Sequence, residues 1–339
     1  MKSVYIYHDM FFRFGVIGKD MYQRFVDADV ADVAVIDWWS YSRDEALFDG
    51  GKELDTSFRG IIKPFNGYYH WQTPMEYNDS IYGCAKRAKK YGFEGIESYS
   101  SFEYCYDRTF KYQADLSWNI NELENREFFY DRYAYDFCPD DYDNAKAALN
   151  STRIIMEALL SPNYMNSLDY YWYSYKGLRD KEYPTNFPGG IFEKILSNYD
   201  LYSNYCRNTV AEAKKAVDFF KNNRKSDSFM NDTWLAVAMH YYNNANFFIT
   251  VVDLYKNEAS KCEIYNTFKD LLERQEEFML ISEKARIEAN MYIYQRNHTI
   301  IRQFILDVLK YCEETPDDEF KFEVKHMKYL STDVYSAIR

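Results

Sequence analysis

Val33-Ala34-Val35-Ile36-Asp37-Trp38-Trp39 decides how the N-terminal part of this chain is read. Val33, Val35 and Ile36 are β-branched, and such a short apolar run suits a strand buried on both faces, as in a parallel sheet. It then stops on an acid and two indoles. Working outward, three more runs end in a similar way. Ser3–Tyr7 ends in His8-Asp9, Gly60-Ile61-Ile62-Lys63-Pro64-Phe65-Asn66 leads into Tyr68-Tyr69-His70-Trp71, and Phe93–Glu97 leads into Ser98-Tyr99. Helical stretches lie between them. Lys19–Phe25 is one. Tyr77–Tyr91 is a clearer one, with a basic last turn and Gly92 placed for a left-handed C-cap. Strand–helix–strand order predicts right-handed crossovers and a parallel sheet.

From about residue 111 the strand signal fades and long helical patterns take over: Asn144–Leu160, Ile191–Lys221, Asp232–Tyr255, Ala259–Met291 and His298–Cys312. Asp232 or Thr233 is placed to cap the third. Prolines fall in connections, and 161–190 reads as loop-rich. Four such units make half of an eight-stranded barrel or a small open sheet. The expected fold is α/β plus all-α: residues 1–110 a partial (β/α) barrel of about four parallel strands, and 111–339 an antiparallel α-helical bundle.

Composition narrows the function. The 339 residues carry 41 basic and 53 acidic side chains, a formal net charge of −12, which argues against a general nucleic-acid binder. No run approaches the roughly 18–20 apolar residues of a membrane span. The six cysteines are scattered without a CxxC pair, a pattern that suits a reducing cytosol and predicts a cytoplasmic protein. The five histidines are dispersed, and no zinc-ligand spacing or HExxH is present, so no metal and no cofactor is expected. His240 with Tyr241-Tyr242 reads as bundle core.

Ligands of barrels and open α/β sheets bind at the C-terminal ends of the strands. Those ends hold Asp9, Asp37 and Glu97 as candidate catalytic acids. His8, Trp38, Trp39, Asn66, Tyr69, Trp71, Tyr99 and Glu103 are candidate substrate-binding residues. Indole and phenol rings stack on sugar faces. Carboxylates accept hydrogen bonds from hydroxyls and also serve as general acid, general base or nucleophile.

The succession Tyr7-His8-Asp9-Met10-Phe11-Phe12, Asp37-Trp38-Trp39, Pro64-Phe65-Asn66-Gly67-Tyr68-Tyr69 and Gly92-Phe93-Glu94-Gly95-Ile96-Glu97-Ser98-Tyr99 resembles strands five to eight of a glycoside hydrolase barrel. The likeness is to the β-N-acetylhexosaminidase-like group, and it covers about the first 110 residues. It implies that Trp38 or Trp39 and Trp71 wall a sugar subsite, that Tyr69 faces the reacting end, and that Glu97 or Glu103 holds hydroxyls. The departure is that the catalytic Asp-Glu pair of that group stands on its fourth strand, and no pair here occupies an equivalent place. The implied protein is carbohydrate-active but incomplete without those strands, which a homodimer or a partner chain would supply. Two other readings stand beside it: a non-catalytic glycan-binding or protein-assembly module, and a structural helical protein whose small sheet is simply packed.

Overall fold

The computed structural model describes residues 3–7, 15–30, 33–40, 58–64, 76–98, 104–121, 125–158, 192, 195–223, 228–285 and 291–323. Helix dominates these residues, and one small sheet accompanies it. Two compact units divide them. The first holds the sheet and the helical chain from Tyr106 to Asp131; the second takes the chain from Arg132 onward, with Tyr104 and Cys105.

In the first unit, β1 (Val4–Tyr7), β2 (Ala34–Ser40), β3 (Arg59–Pro64) and β4 (Gly95–Ile96) form a four-stranded parallel sheet in the order β1-β2-β3-β4. The register sets Tyr7 beside Asp37, Trp39 beside Lys63, and Ile62 beside Ile96. α1 (Gly15–Asp27) follows β1, and α2 (Asn78–Tyr91) precedes β4. One layer of the sheet, Ala34, Ile36, Trp38 and Ile62, packs with Cys84 and Ala88 of α2, and Tyr22 and Phe25 of α1 join its rim. Strand side chains alternate faces, so Val35, Asp37, Ile61 and Lys63 belong to the opposite face. These four are buried as well. Burial on both faces is what the β-branched run in β2 calls for.

Gly92 takes φ 69°, and its amide caps α2 through Ala88 and Lys89 carbonyls. The chain turns there directly into β4. Gly60 faces a different demand: a Cβ at this position would stand 2.9 Å from the Phe93 ring. Any side chain there would push Phe93 off the sheet.

α3 (Asp107–Trp118) and α4 (Arg126–Phe137) follow. At the entry to α2, Glu76 is fully buried and takes Arg108 of α3 at 2.7 Å. Its other oxygen accepts from Asn78 at 2.6 Å and from the Tyr130 hydroxyl at 3.1 Å. A buried carboxylate needs such partners. Together they pin the start of α2 to α3 and α4.

The second unit is built from α5 (Tyr142–Ala158), α6 (Tyr199–Asn222), α7 (Ser228–Lys256), α8 (Lys261–Lys284) and α9 (Met291–Glu314). Its core joins Phe247, Phe248 and Val251 of α7 to Ile264 and Phe268 of α8 and to Phe304 and Ile305 of α9. Ser260 caps α8 by accepting from the Glu263 amide. The helix boundaries differ from the sequence expectation in two places. α7 starts at Ser228, so Asp232 and Thr233 lie inside it and cap nothing; the Thr233 hydroxyl instead donates to the Phe229 carbonyl one turn back. The stretch expected as one helix from Ile191 breaks at Asn198, whose φ of −148° leaves the helical region and makes it the N-cap of α6. The loop-rich 161–190 lies outside the described residues.

Among the described residues, no helix is long and apolar enough to cross a membrane.

Candidate functional site

Lys63 organises the C-terminal edge of the sheet. It enters from β3 on the face away from the α1 and α2 packing layer, and its side chain is only 6% exposed. A buried ammonium must be paired. Its Nζ stands 2.7 Å from Asp37 Oδ2, whose side chain is 2% exposed, and 3.6 Å from Glu97 Oε2, whose side chain is 53% exposed. On the side of β1, Nζ lies 5.1 Å from the centre of the Tyr7 ring, within range of a cation–π contact. Burial by itself pulls the lysine's pKa down. The hydrogen bond and charge of Asp37, with further help from Glu97 and Tyr7, more than offset this and raise it above the usual value. Lys63 is therefore a permanent cation at any physiological pH.

Four strands thus bring one group each to a common edge: Tyr7, Asp37, Lys63 and, just past β4, Glu97. The arrangement has a buried half and an open half. Asp37 and the lysine stem are sealed in, while Glu97 and Tyr7 reach solvent. Chemically it offers an acceptor carboxylate, an ammonium donor and an aromatic face, the set that binds a polyhydroxylated ring. The set is suited to accepting and donating hydrogen bonds.

Of the expected site residues, the structure brings Asp37 and Glu97 to this edge. Trp38 goes elsewhere: it is 1% exposed and packs with Ala34, Ile36 and Cys84 in the helix-facing core. A strand that continues through Ser40 places adjacent residues on opposite faces, so Asp37 and Trp38 cannot share one. His8, Asp9, Asn66, Tyr69, Trp71, Tyr99 and Glu103, and the side chain of Trp39, lie outside the described residues. Lys63 was not among the expected residues. The signal was available: a lysine inside an apolar run, flanked by strands that end in acids, has to find one of them.

Replacing Asp37 tests this arrangement. Asp37→Asn removes the nearest counter-charge of a buried lysine while Glu97 remains. The expected loss lies at the lower end of the roughly 3–5 kcal/mol seen when one partner of a buried pair is deleted. It is read from hydrogen exchange of the β2 and β3 amides. An Asp37→Leu/Lys63→Met double variant should recover most of the loss. If the single variant exchanges like the parent, the pair is not holding the edge.

Among the described residues, no group of three or more His, Cys, Asp or Glu stands close enough to hold a metal ion. All six cysteines are thiols, and only Cys262 is exposed. Comparison with protein-family models and with curated proteins finds no match.

Proposed function

We propose that the C-terminal edge of the sheet is a carbohydrate-binding site, the sugar-contacting part of a glycoside-hydrolase-type (β/α) barrel. Glu97 accepts from sugar hydroxyls, Lys63 donates to them, Tyr7 offers its ring, and Asp37 holds the lysine in place. The observation that carries this reading is the lysine clamped between two strand-end carboxylates on one face of a parallel sheet whose strands lie in sequence order. That order is the one a barrel uses, and the C-terminal edge is where barrels bind ligands. On this reading the four strands are part of a barrel, and the helices from Tyr142 onward form an antiparallel bundle.

The same observation favours binding over turnover by this chain alone. Asp37 is sealed in against Lys63 at 2.7 Å, so it is a positioning residue. Hydrolysis would need a carboxylate pair from a second copy or from a partner chain completing the barrel. β1 leaves Val4, Tyr5 and Tyr7 exposed, which is the kind of edge such a partner would cover. The free thiols accord with a reducing, cytoplasmic setting.

The test is calorimetric titration of the purified chain with N-acetylglucosamine oligomers, beside a turnover assay on aryl N-acetylglucosaminides. Saturable binding without turnover is expected. Glu97→Gln should weaken it at least about tenfold, the cost of losing a charge-assisted hydrogen bond. Binding that is indifferent to Glu97 would overturn the assignment of this edge.

A further inference from the structure

The charges gathered at the sheet edge are unequal. One ammonium, Lys63, faces two carboxylates, Asp37 and Glu97. The two are not shared alike. Asp37 meets Nζ at 2.7 Å from the buried side, so Lys63 and Asp37 together form a nearly neutral pair. Glu97 stands 3.6 Å from Nζ on the open side, beyond hydrogen-bond distance. Among the described residues no other cation lies within ion-pair distance of it. What the edge presents to solvent is therefore the charge of Glu97, in a protein of net charge −12. Both the local and the overall field favour a cation and oppose an anion.

Tyr7 adds to this preference. It is 47% exposed, and its ring already takes the Lys63 ammonium at 5.1 Å. The exposed part of the ring is a further favourable neighbour for a positive charge. Lys63 itself would repel a ligand cation, but Asp37 is already in contact with it and offsets its field.

A neutral sugar uses only part of this arrangement. Its hydroxyls donate to Glu97 without answering the charge of the carboxylate, and an N-acetyl group adds bulk but no charge. A protonated amine donates to the same oxygen with its own charge, which makes the stronger contact. A uronate or a sugar phosphate brings like charge to Glu97. Resting on the reading of this edge as a sugar site, we propose that its preferred ligand is a cationic amino sugar, a glucosamine unit with a free amine. The ammonium sits on Glu97 beside Tyr7, and a ring hydroxyl accepts from Lys63.

The test is titration of the full chain at about pH 6, where the sugar amines are mostly protonated. The probes are a glucosamine oligomer, an N-acetylglucosamine oligomer of the same length, and spermidine, which has the charge without the sugar. The glucosamine oligomer should bind at least about tenfold more tightly than the acetylated one, the scale of one charge-assisted contact. Raising sodium chloride from about 50 to about 500 mM should weaken it several-fold and leave the acetylated oligomer nearly unchanged, because salt screens an exposed ion contact. Glu97→Gln should bring the two affinities together. Three results overturn the proposal while leaving the sugar site standing: the acetylated oligomer binding as tightly as the free amine, a preference that survives Glu97→Gln, or spermidine binding as tightly as the glucosamine oligomer. If neither oligomer binds, the sugar reading of the edge falls as well.

Discussion

Arg108→Met is expected to destabilise the first unit by about 3–5 kcal/mol, because it strands a buried carboxylate without its counter-charge. Arg108 and Glu76 are both within the core, at 1% and 0% exposure. Their contact is doubled, with Nε at 3.0 Å and Nη2 at 2.7 Å from the same glutamate oxygen. Asn78 and Tyr130 satisfy the other oxygen, but neither carries charge. Water cannot reach Glu76 to replace the guanidinium, so the folded state bears most of the desolvation cost. Hydrogen exchange of the α2 and α3 amides reads the loss locally. Glu76→Gln/Arg108→Met removes both charges and should recover most of it. A single variant that costs under about 1 kcal/mol, in the range of an exposed pair, would mean that the two ions are solvated in solution.

The second large effect is on pH dependence, and it belongs to the second unit. His240 of α7 and His298 of α9 are both buried, with His240 Nδ1 3.0 Å from His298 Nε2. Gln275 of α8 contacts His298 Nδ1, and the Phe278 ring centre lies 4.0 Å from that of His298. With Gln275 donating, His298 carries its proton on Nε2 and donates to His240. No acid is among these contacts. Burial pushes both histidines down, His298 to about 3 and His240 well below 6.5 with the neighbouring imidazole adding to the effect. In the unfolded chain they take up protons near pH 6.5; in the folded chain they do not. Their contribution is therefore fully present above pH 6.5 and lost as pH falls below it. The loss approaches about 1.4 kcal/mol per pH unit for each histidine. Denaturant unfolding of the second unit at pH 7, 6 and 5 should show this steepening loss. His298→Gln should flatten it by about half. A stability that does not change between pH 7 and pH 5 would mean that the pair is charged or open in solution.

Much of the first unit was legible because its physics is local. The β-branched run at Val33–Ile36, the apolar run through Ile61-Ile62 and the glycine after the basic end of α2 each state a backbone preference that nothing nearby opposes. The run at 33–36 was read as ending before Asp37, but the strand continues through Ser40. That single difference decides the fate of Trp38, because strand alternation then sends it to the core. Lys63 was passed over for a related reason: charge inside an apolar run has no meaning until the neighbouring strand is known. α3 and α4 were not recognised either. In α4, Phe128, Phe129, Tyr130, Tyr133, Tyr135 and Phe137 fall around the helix rather than along one stripe, so the 3.6-residue period is absent. The His240–His298 pair joins residues 58 positions apart, and the Asn243 amide of α7 donates to the Arg274 carbonyl of α8. Such pairings come from tertiary packing, which a single sequence does not display.

The sheet edge as a sugar site is the central claim, and a crystal structure of the chain soaked with an N-acetylglucosamine oligomer tests it most directly. The account predicts a sugar ring against Tyr7 with hydroxyls within hydrogen-bond distance of Glu97 and of Lys63 Nζ, and with the Asp37–Lys63 contact intact. A sugar bound elsewhere on the chain, or an edge left bare at saturating oligomer, would contradict it.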